Sequence, residues 1–285
     1  MKLCRYRDNQ DIVRVGCIAD GTNVIDLSSA GVSSMTPLLE TGDPPAAVRS
    51  LLNDNLPRVP LSEARLCAPV EQQEVWAAGV TYLRSKTARM EESTFSANAY
   101  DRVYEAERPE LFFKSLPEKV VGPGGPVGIR RDAKWNVPEP ELALVLNSRG
   151  AIVGCTVGND MSSRDIEGEN LLYLPQAKIY HRSCALGPWI ALEAHEETLR
   201  QWTVQLSIQR AGQTVFSGET SVGRIKRRFS ELADFLFRCQ ELPHGAVLLT
   251  GTGVVPSDDF TLQENDLVRI EISGIGVLEN QVTIV

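Results

Sequence analysis

Glu139, Glu141, Asp160 and Lys178 are the residues of this chain whose types and spacing could do chemistry. The two glutamates stand two apart in "PEPELALVL", and residues i and i+2 of a strand point to one face. Side by side they repel, and a buried pair needs a counter-charge. Two apolar runs, "ELALVL" and "AIVGCTVGND", flank Ser148-Arg149-Gly150, a hairpin signal. Pairing Asn147 with Ala151 sets Glu141 opposite Val157 and Glu139 opposite Asn159, with Asp160 one residue beyond. Three carboxylates therefore converge where the hairpin opens. Oxygen donors with no nearby His or Cys suit a hard cation, Mg²⁺ first, with Mn²⁺ or Ca²⁺ as substitutes. Zinc is disfavoured, because His181, His195 and His244 show no paired ligand spacing. Three carboxylates around one divalent ion leave a net negative charge and open coordination positions, and Lys178 offers a positive charge for an anionic substrate.

The elements that must hold these residues read as mixed, mainly antiparallel sheet. "DIVRVGCIAD-GTNVIDLS" alternates around Asp20-Gly21, a hairpin signal, and "MTPLLETG" and "AAVRSLLNDN" read as short helices. Pro57 and Pro60 punctuate a linker, so residues 1–68 are expected to form a small β-rich amino-terminal domain and 69–285 a catalytic domain. In the second part short strands dominate, interrupted by a polar helical stretch near 82–108 whose lid conformation the sequence leaves open. Pro140 marks an edge or irregular strand position. Ser162 and Ser163 are cap formers before a charged run in which Arg164 and Asp165 could pair or touch substrate. "VGPGGPVG" lacks a phosphate-loop pattern and reads as a tight surface turn. Lys226-Arg227-Arg228 reads as a solvated face. The class is α+β, mainly β.

With 42% hydrophobic and 23% charged residues in 285, the composition is that of a folded, water-soluble protein. A net charge of −8 with no long basic tract argues against nucleic-acid binding. Six scattered cysteines, without a C-x-x-C pair, fit a reducing compartment. The charged start "MKLCRYRDNQ" is unlike a signal peptide, and no apolar window is long enough for a membrane helix, so a cytoplasmic location is expected.

The stretches "PEPELALVL", "GCTVGNDMSSRD", "QAKIY" and "LLTGTG", in that order, resemble the fumarylacetoacetate hydrolase family over about residues 70–285. The resemblance implies a mixed β-sandwich and β-roll fold behind a small amino-terminal domain. It gives Glu139, Glu141 and Asp160 the metal, Lys178 a place beside metal and substrate, and Thr252 a contact to the substrate carboxylate. It also implies a homodimer or homotetramer. The family's hydrolases place a His-x-x-Glu after a G-x-N-Y-like stretch; here, in "GVTYLRSKTA", Ser85 and Ala88 stand in those places. Ser85 becomes an expected substrate contact, and the water-activating base of C–C hydrolysis is missing. "RPELFFKS" and "ENLLYLPQAKIY" resemble the branch of 2-keto-3-deoxy-D-arabinonate dehydratases, which adds Glu110 as a site carboxylate that could otherwise pair with Arg108. The activity implied is Mg²⁺-dependent dehydration of a 2-keto-3-deoxypentonate to 2,5-dioxopentanoate, with a small 2-keto acid as the partner. An acylpyruvate-type hydrolase or an oxaloacetate decarboxylase is the alternative.

Overall fold

The computed structural model describes residues 1–82 and 102–285. Among these, an 11-stranded mixed sheet is the backbone of the molecule. It runs from Arg58–Pro60 through Asn23–Asp26, Val13–Ile18, Lys2–Arg7, Cys184–Ala191, Ile152–Asp160, Pro140–Leu146, Ala246–Thr252 and Glu74–Gly79 to Glu110–Ser115, with Arg65–Cys67 paired off Lys2–Arg7. A 5-stranded sheet, Gln213–Ser221, Thr203–Arg210, Leu267–Ile272, Gly276–Ile284 and Val127–Ile129, packs against it. Pairing is antiparallel except where Ala246–Thr252 meets Glu74–Gly79 and where Gly276–Ile284 meets Val127–Ile129. The division expected at 68/69 falls on the link after Arg65–Cys67, although the strands before that link extend the central sheet through Lys2 and Leu3.

The Pro140–Leu146 strand lies between two apolar clusters. Leu142, Leu144 and Leu146 join Val204, Leu206 and Ile270 of the smaller sheet, whereas Ala143 and Val145 join Leu3, Val75 and Leu249. Burial on both faces explains why "ELALVL" is a continuous apolar run and not an alternating one. Pro140 is the first residue of a central strand and not an edge residue, a position where its missing N–H breaks no ladder.

The expected helices form at Thr36–Leu39 and Pro44–Leu51, the second capped by the Asp43 carboxylate accepting from Ala46 N at 2.9 Å. "VGPGGPVG" makes a turn whose Gly122 and Gly125 carbonyls accept from the Asn280 amide. Lys226 and Arg228 of the basic cluster are exposed as expected, but Arg227 is only 8% exposed, because residues 103–107 present backbone carbonyls that its guanidinium satisfies. No helix among the described residues is long and apolar enough to cross a membrane.

Candidate metal and catalytic site

A β-bulge creates the carboxylate cluster. Leu146 pairs with Ile152 as the turn dictates, but a register shift between Val145 and Leu146 then sets Glu141 opposite Gly158 and Pro140 opposite Asn159. Every pairing beyond the bulge is one residue off the simple hairpin. In an antiparallel pair, facing residues share a face, so a one-residue slip exchanges the faces. Asp160 therefore comes opposite Glu139, whose carbonyl accepts from Asp160 N at 2.9 Å, while Asn159 turns to the other side. One oxygen from each of Glu139, Glu141 and Asp160 lies within 4.8 Å of the others, and all three side chains are buried.

Three cations enter this cluster from different elements. Lys178, the last residue of the helix Leu174–Lys178, is fully buried and donates to Glu139 Oε2 at 2.7 Å, Asp160 Oδ2 at 3.2 Å and Ser162 Oγ at 2.6 Å. Lys114, also fully buried, pairs with Asp160 Oδ1 and donates to the carbonyls of Met161 and Lys178. Arg164, at the start of the helix Arg164–Glu169, pairs with Glu139 Oε1 at 2.8 Å. Removing any one of these charges would leave its partner carboxylate buried and under-neutralised.

Glu141 is placed differently. Its Oε2 accepts from Gly251 N at 2.6 Å, a neutral donor. Gly251 has φ +93°, and a Cβ there would lie 2.0 Å from Thr81 Oγ1, so glycine is what lets this amide reach the carboxylate. Burial first, then the charges of Asp160 and Glu139, raise the Glu141 pKa well above the ordinary carboxylate range, against the pull of Lys178 and the Gly251 hydrogen bond. This is a site that a further cation would relieve. Each ionised carboxylate has about four lone-pair positions, so oxygens already taking one N–H retain capacity for a metal. Three convergent, buried, hard oxygen donors, one of them lacking a cation among its hydrogen-bond donors in the described residues, fit a divalent ion such as Mg²⁺.

Glu110 opens the Glu110–Ser115 strand, opposite Gly79, where a Cβ would lie 1.9 Å from Glu110 Oε2. Its carboxylate thus lies over the glycine backbone. Phe112, two residues on and on the same face, places its ring 5.9 Å from Lys178 Nζ, so the strand presents Glu110 toward the site. Thr252 ends Ala246–Thr252 directly beside Glu141, with its Oγ1 donating to Val254 O at 3.1 Å. Ser85 lies outside the described residues. Asp165 accepts from Lys134 N, and Ser163 Oγ donates to Asn136 Oδ1. Lys114 is the site residue that sequence reasoning missed. Its signal was present: a lysine inside the apolar strand "ELFFKS" has to find a buried partner.

The fumarylacetoacetate hydrolase C-terminal family model matches residues 74–283. A probable 2-keto-3-deoxyxylonate dehydratase of Haloferax volcanii is 49% identical over 217 residues, covering 76% of this chain and 74% of that protein. The 2-dehydro-3-deoxy-D-arabinonate dehydratase of Saccharolobus solfataricus is 39% identical over 221 residues, with the same 76% and 74% coverage. A solved 2-keto-3-deoxy-D-arabinonate dehydratase, complexed with magnesium and 2,5-dioxopentanoate, superposes with a TM-score of 0.83 at 32% identity, over 100% of this chain and 99% of that one. The mixed-sheet architecture and the family model agree, and the chain belongs to the fumarylacetoacetate hydrolase family.

Proposed function

We propose that this protein is a Mg²⁺-dependent dehydratase that converts a 2-keto-3-deoxypentonate to 2,5-dioxopentanoate and water. The observation that carries the reading is the buried convergence of Glu139, Glu141 and Asp160 with Lys178 Nζ seated against two of them. The dehydratase names of the two relatives and the magnesium and 2,5-dioxopentanoate of the solved neighbour support it.

Glu139, Glu141 and Asp160 hold the ion in this reading. When bound, Mg²⁺ supplies Lewis-acid polarisation of the substrate's ketone, which acidifies the protons on C3. The protein's residues do the proton work. One of Glu110 and Lys178 takes a C3 proton, and the other delivers a proton to the departing C4 hydroxyl, which leaves as water. Loss of a C5 proton and return of a proton to C3 then move the double bond to a C4–C5 enol, which takes a proton at C4, loses its hydroxyl proton and becomes the C5 aldehyde. A lysine acting as the base must first give up the proton on Nζ. Thr252, beside Glu141, is proposed to hold the substrate carboxylate. None of these steps activates water, so the missing histidine of the hydrolases is no obstacle. Six free cysteines, four of them buried, support a reducing, cytoplasmic setting. A homodimer or homotetramer is the proposed assembly, checked by light scattering.

The test is turnover of purified protein and Mg²⁺ with 2-keto-3-deoxy-D-arabinonate and its enantiomer, assayed for the 5-aldehyde product. Acetylpyruvate and oxaloacetate run in parallel. Aldehyde from the sugar acid supports the dehydratase. Pyruvate and acetate from acetylpyruvate, without aldehyde, would replace it with the hydrolase.

A further inference from the structure

The basic cluster Lys226-Arg227-Arg228 takes no part in the site, yet two of its residues bind the chain that leads into it. Arg227 donates to the carbonyls of Val103 at 3.2 Å, of Ala106, and of Glu107 at 3.0 Å, and pairs with Glu231 at 2.6 Å. Residues 102–105 are helical, and the helix ends there. The last carbonyls of a helical turn lack partners within it, and a cation at that end also complements the turn's dipole. The Arg227 fork supplies both. Lys226 adds a bond from Nζ to Tyr104 O at 2.7 Å and an ion pair with Glu105 at 2.7 Å. The Arg108 guanidinium lies 5.4 Å from the Phe235 ring centroid, so the docked stretch reaches to within two residues of Glu110.

The neighbouring strand is tied down at the same place. Lys226 N donates to Thr81 O at 3.0 Å, and Ile225 bridges Tyr82. Thr81 and Tyr82 follow the strand Glu74–Gly79, and Gly79 is the residue opposite Glu110. Residues 225–227 therefore fasten both chains of the Glu74–Gly79 and Glu110–Ser115 pair at the end where Glu110 sits. Burial of the guanidinium, with only 8% of Arg227 exposed, makes this a fixed joint and not a screened surface contact.

We propose that Arg227, assisted by Lys226, is a positioning residue for Glu110: it holds residues 103–107 so that the Glu110 carboxylate stays over Gly79 and faces the metal site. This rests on the acid–base role proposed above for Glu110. Among the described residues Arg227 contacts neither the carboxylate cluster nor Lys178. Its loss should therefore slow the chemical step and spare metal binding.

The experiment compares Glu110→Gln, Arg227→Met, Arg227→Lys and the Glu110→Gln/Arg227→Met double variant, each with Mg²⁺ and 2-keto-3-deoxy-D-arabinonate. Arg227→Met is expected to lower kcat at least about tenfold, since small misplacement of a catalytic group is expensive in rate. KM and the Mg²⁺ concentration at half-maximal thermal shift should stay within about threefold, marking a loss specific to the chemical step. Arg227→Lys should recover little, because one ammonium cannot reproduce a planar fork shared among several carbonyls. The double variant should be no more than about twofold slower than Glu110→Gln alone, as two residues acting through one group are not additive. If Arg227→Met keeps its kcat while Glu110→Gln is slow, the clamp is wrong and the role of Glu110 stands. If Glu110→Gln is fully active, the role of Glu110 fails and the clamp falls with it. Multiplying losses in the double variant place the action of Arg227 elsewhere and overturn the proposal. Should Arg227→Met fold poorly, Lys226→Met replaces it in the same comparison, with a kcat loss of at least about threefold expected.

Discussion

Two carboxylates in this molecule meet burial in opposite ways. Glu71, on the link between Arg65–Cys67 and Glu74–Gly79, accepts from Ser34 Oγ at 2.6 Å, Met35 N at 2.8 Å, Thr36 N at 3.0 Å and Thr36 Oγ1 at 2.7 Å. Burial alone would raise its pKa, but these donors outweigh burial and hold it below the ordinary range. Among the described residues Glu141 has one backbone donor and two carboxylate neighbours, and its pKa is raised. Glu71 is complete without a ligand; Glu141 is not. A carboxylate whose surroundings leave its charge unsatisfied marks the place where the fold gives up stability to keep a binding site.

The largest separation between the two should come from alanine. Glu141→Ala is expected to abolish the Mg²⁺-dependent rise in melting temperature and to cut turnover on the order of a thousandfold. Glu71→Ala should leave both unchanged at temperatures below its transition. A Glu141→Ala protein that still melts later with added Mg²⁺ breaks the assigned ligand set.

Lys178 sharpens the same contrast from the cation side. Lys178→Met is expected to lower kcat by about a hundredfold or more, the range of a lost proton-transfer group. Mg²⁺ binding should persist, because Glu139 Oε2 and Asp160 Oδ2 lose a competitor for their lone pairs. Calorimetric titration of the variant with Mg²⁺ measures this directly. If binding disappears with the ammonium, Lys178 is structural and the proton-transfer assignment goes.

Glu71→Ala supplies the third contrast, now in stability. Loss of several hydrogen bonds to a charged group suggests about 3 kcal/mol, and partial exposure reduces this to about 2 kcal/mol. That corresponds to a melting temperature lower by roughly 4–8 °C. An unchanged melting temperature would mean that the four donors do nothing for the fold.

The sequence showed much of the site and missed its mechanism of assembly. The Glu-x-Glu spacing and the Ser148-Arg149-Gly150 turn placed three carboxylates at one end of a hairpin, because strand periodicity and turn chemistry are local. The bulge between Val145 and Leu146 was not readable, and it alone decides which face Asp160 occupies. Lys114 and the Gly251 amide come from strands far away in the chain, and only tertiary packing brings them to Asp160 and Glu141. The burial of Arg227 was equally hidden. Its partners are backbone carbonyls, which carry no residue-type signal.

The smallest effect is the most specific to the comparison, because the two carboxylates should give stability slopes of opposite sign in separate pH windows. A carboxyl with a lowered folded pKa binds fewer protons folded than unfolded. The stability from Glu71 is therefore present above its ordinary value of 4.5 and is lost as pH falls below that through the lower folded value. A carboxyl with a raised folded pKa binds more protons when folded. The contribution of Glu141 is therefore favourable below 4.5 and is lost as pH rises above 4.5 through the raised value. Melting temperatures of the metal-free wild type, Glu71→Gln and Glu141→Gln from acid to neutral pH isolate each group by difference. Glu71→Gln should approach the wild type only at the acid end, whereas Glu141→Gln should overtake it as pH rises toward neutral. Saturating Mg²⁺ should erase the second difference by stabilising the ionised wild-type cluster, and leave the first untouched. Difference curves that bend the same way for both variants would show that Glu141 is as fully satisfied as Glu71, and the argument for a cation at Glu141 would lose its electrostatic basis.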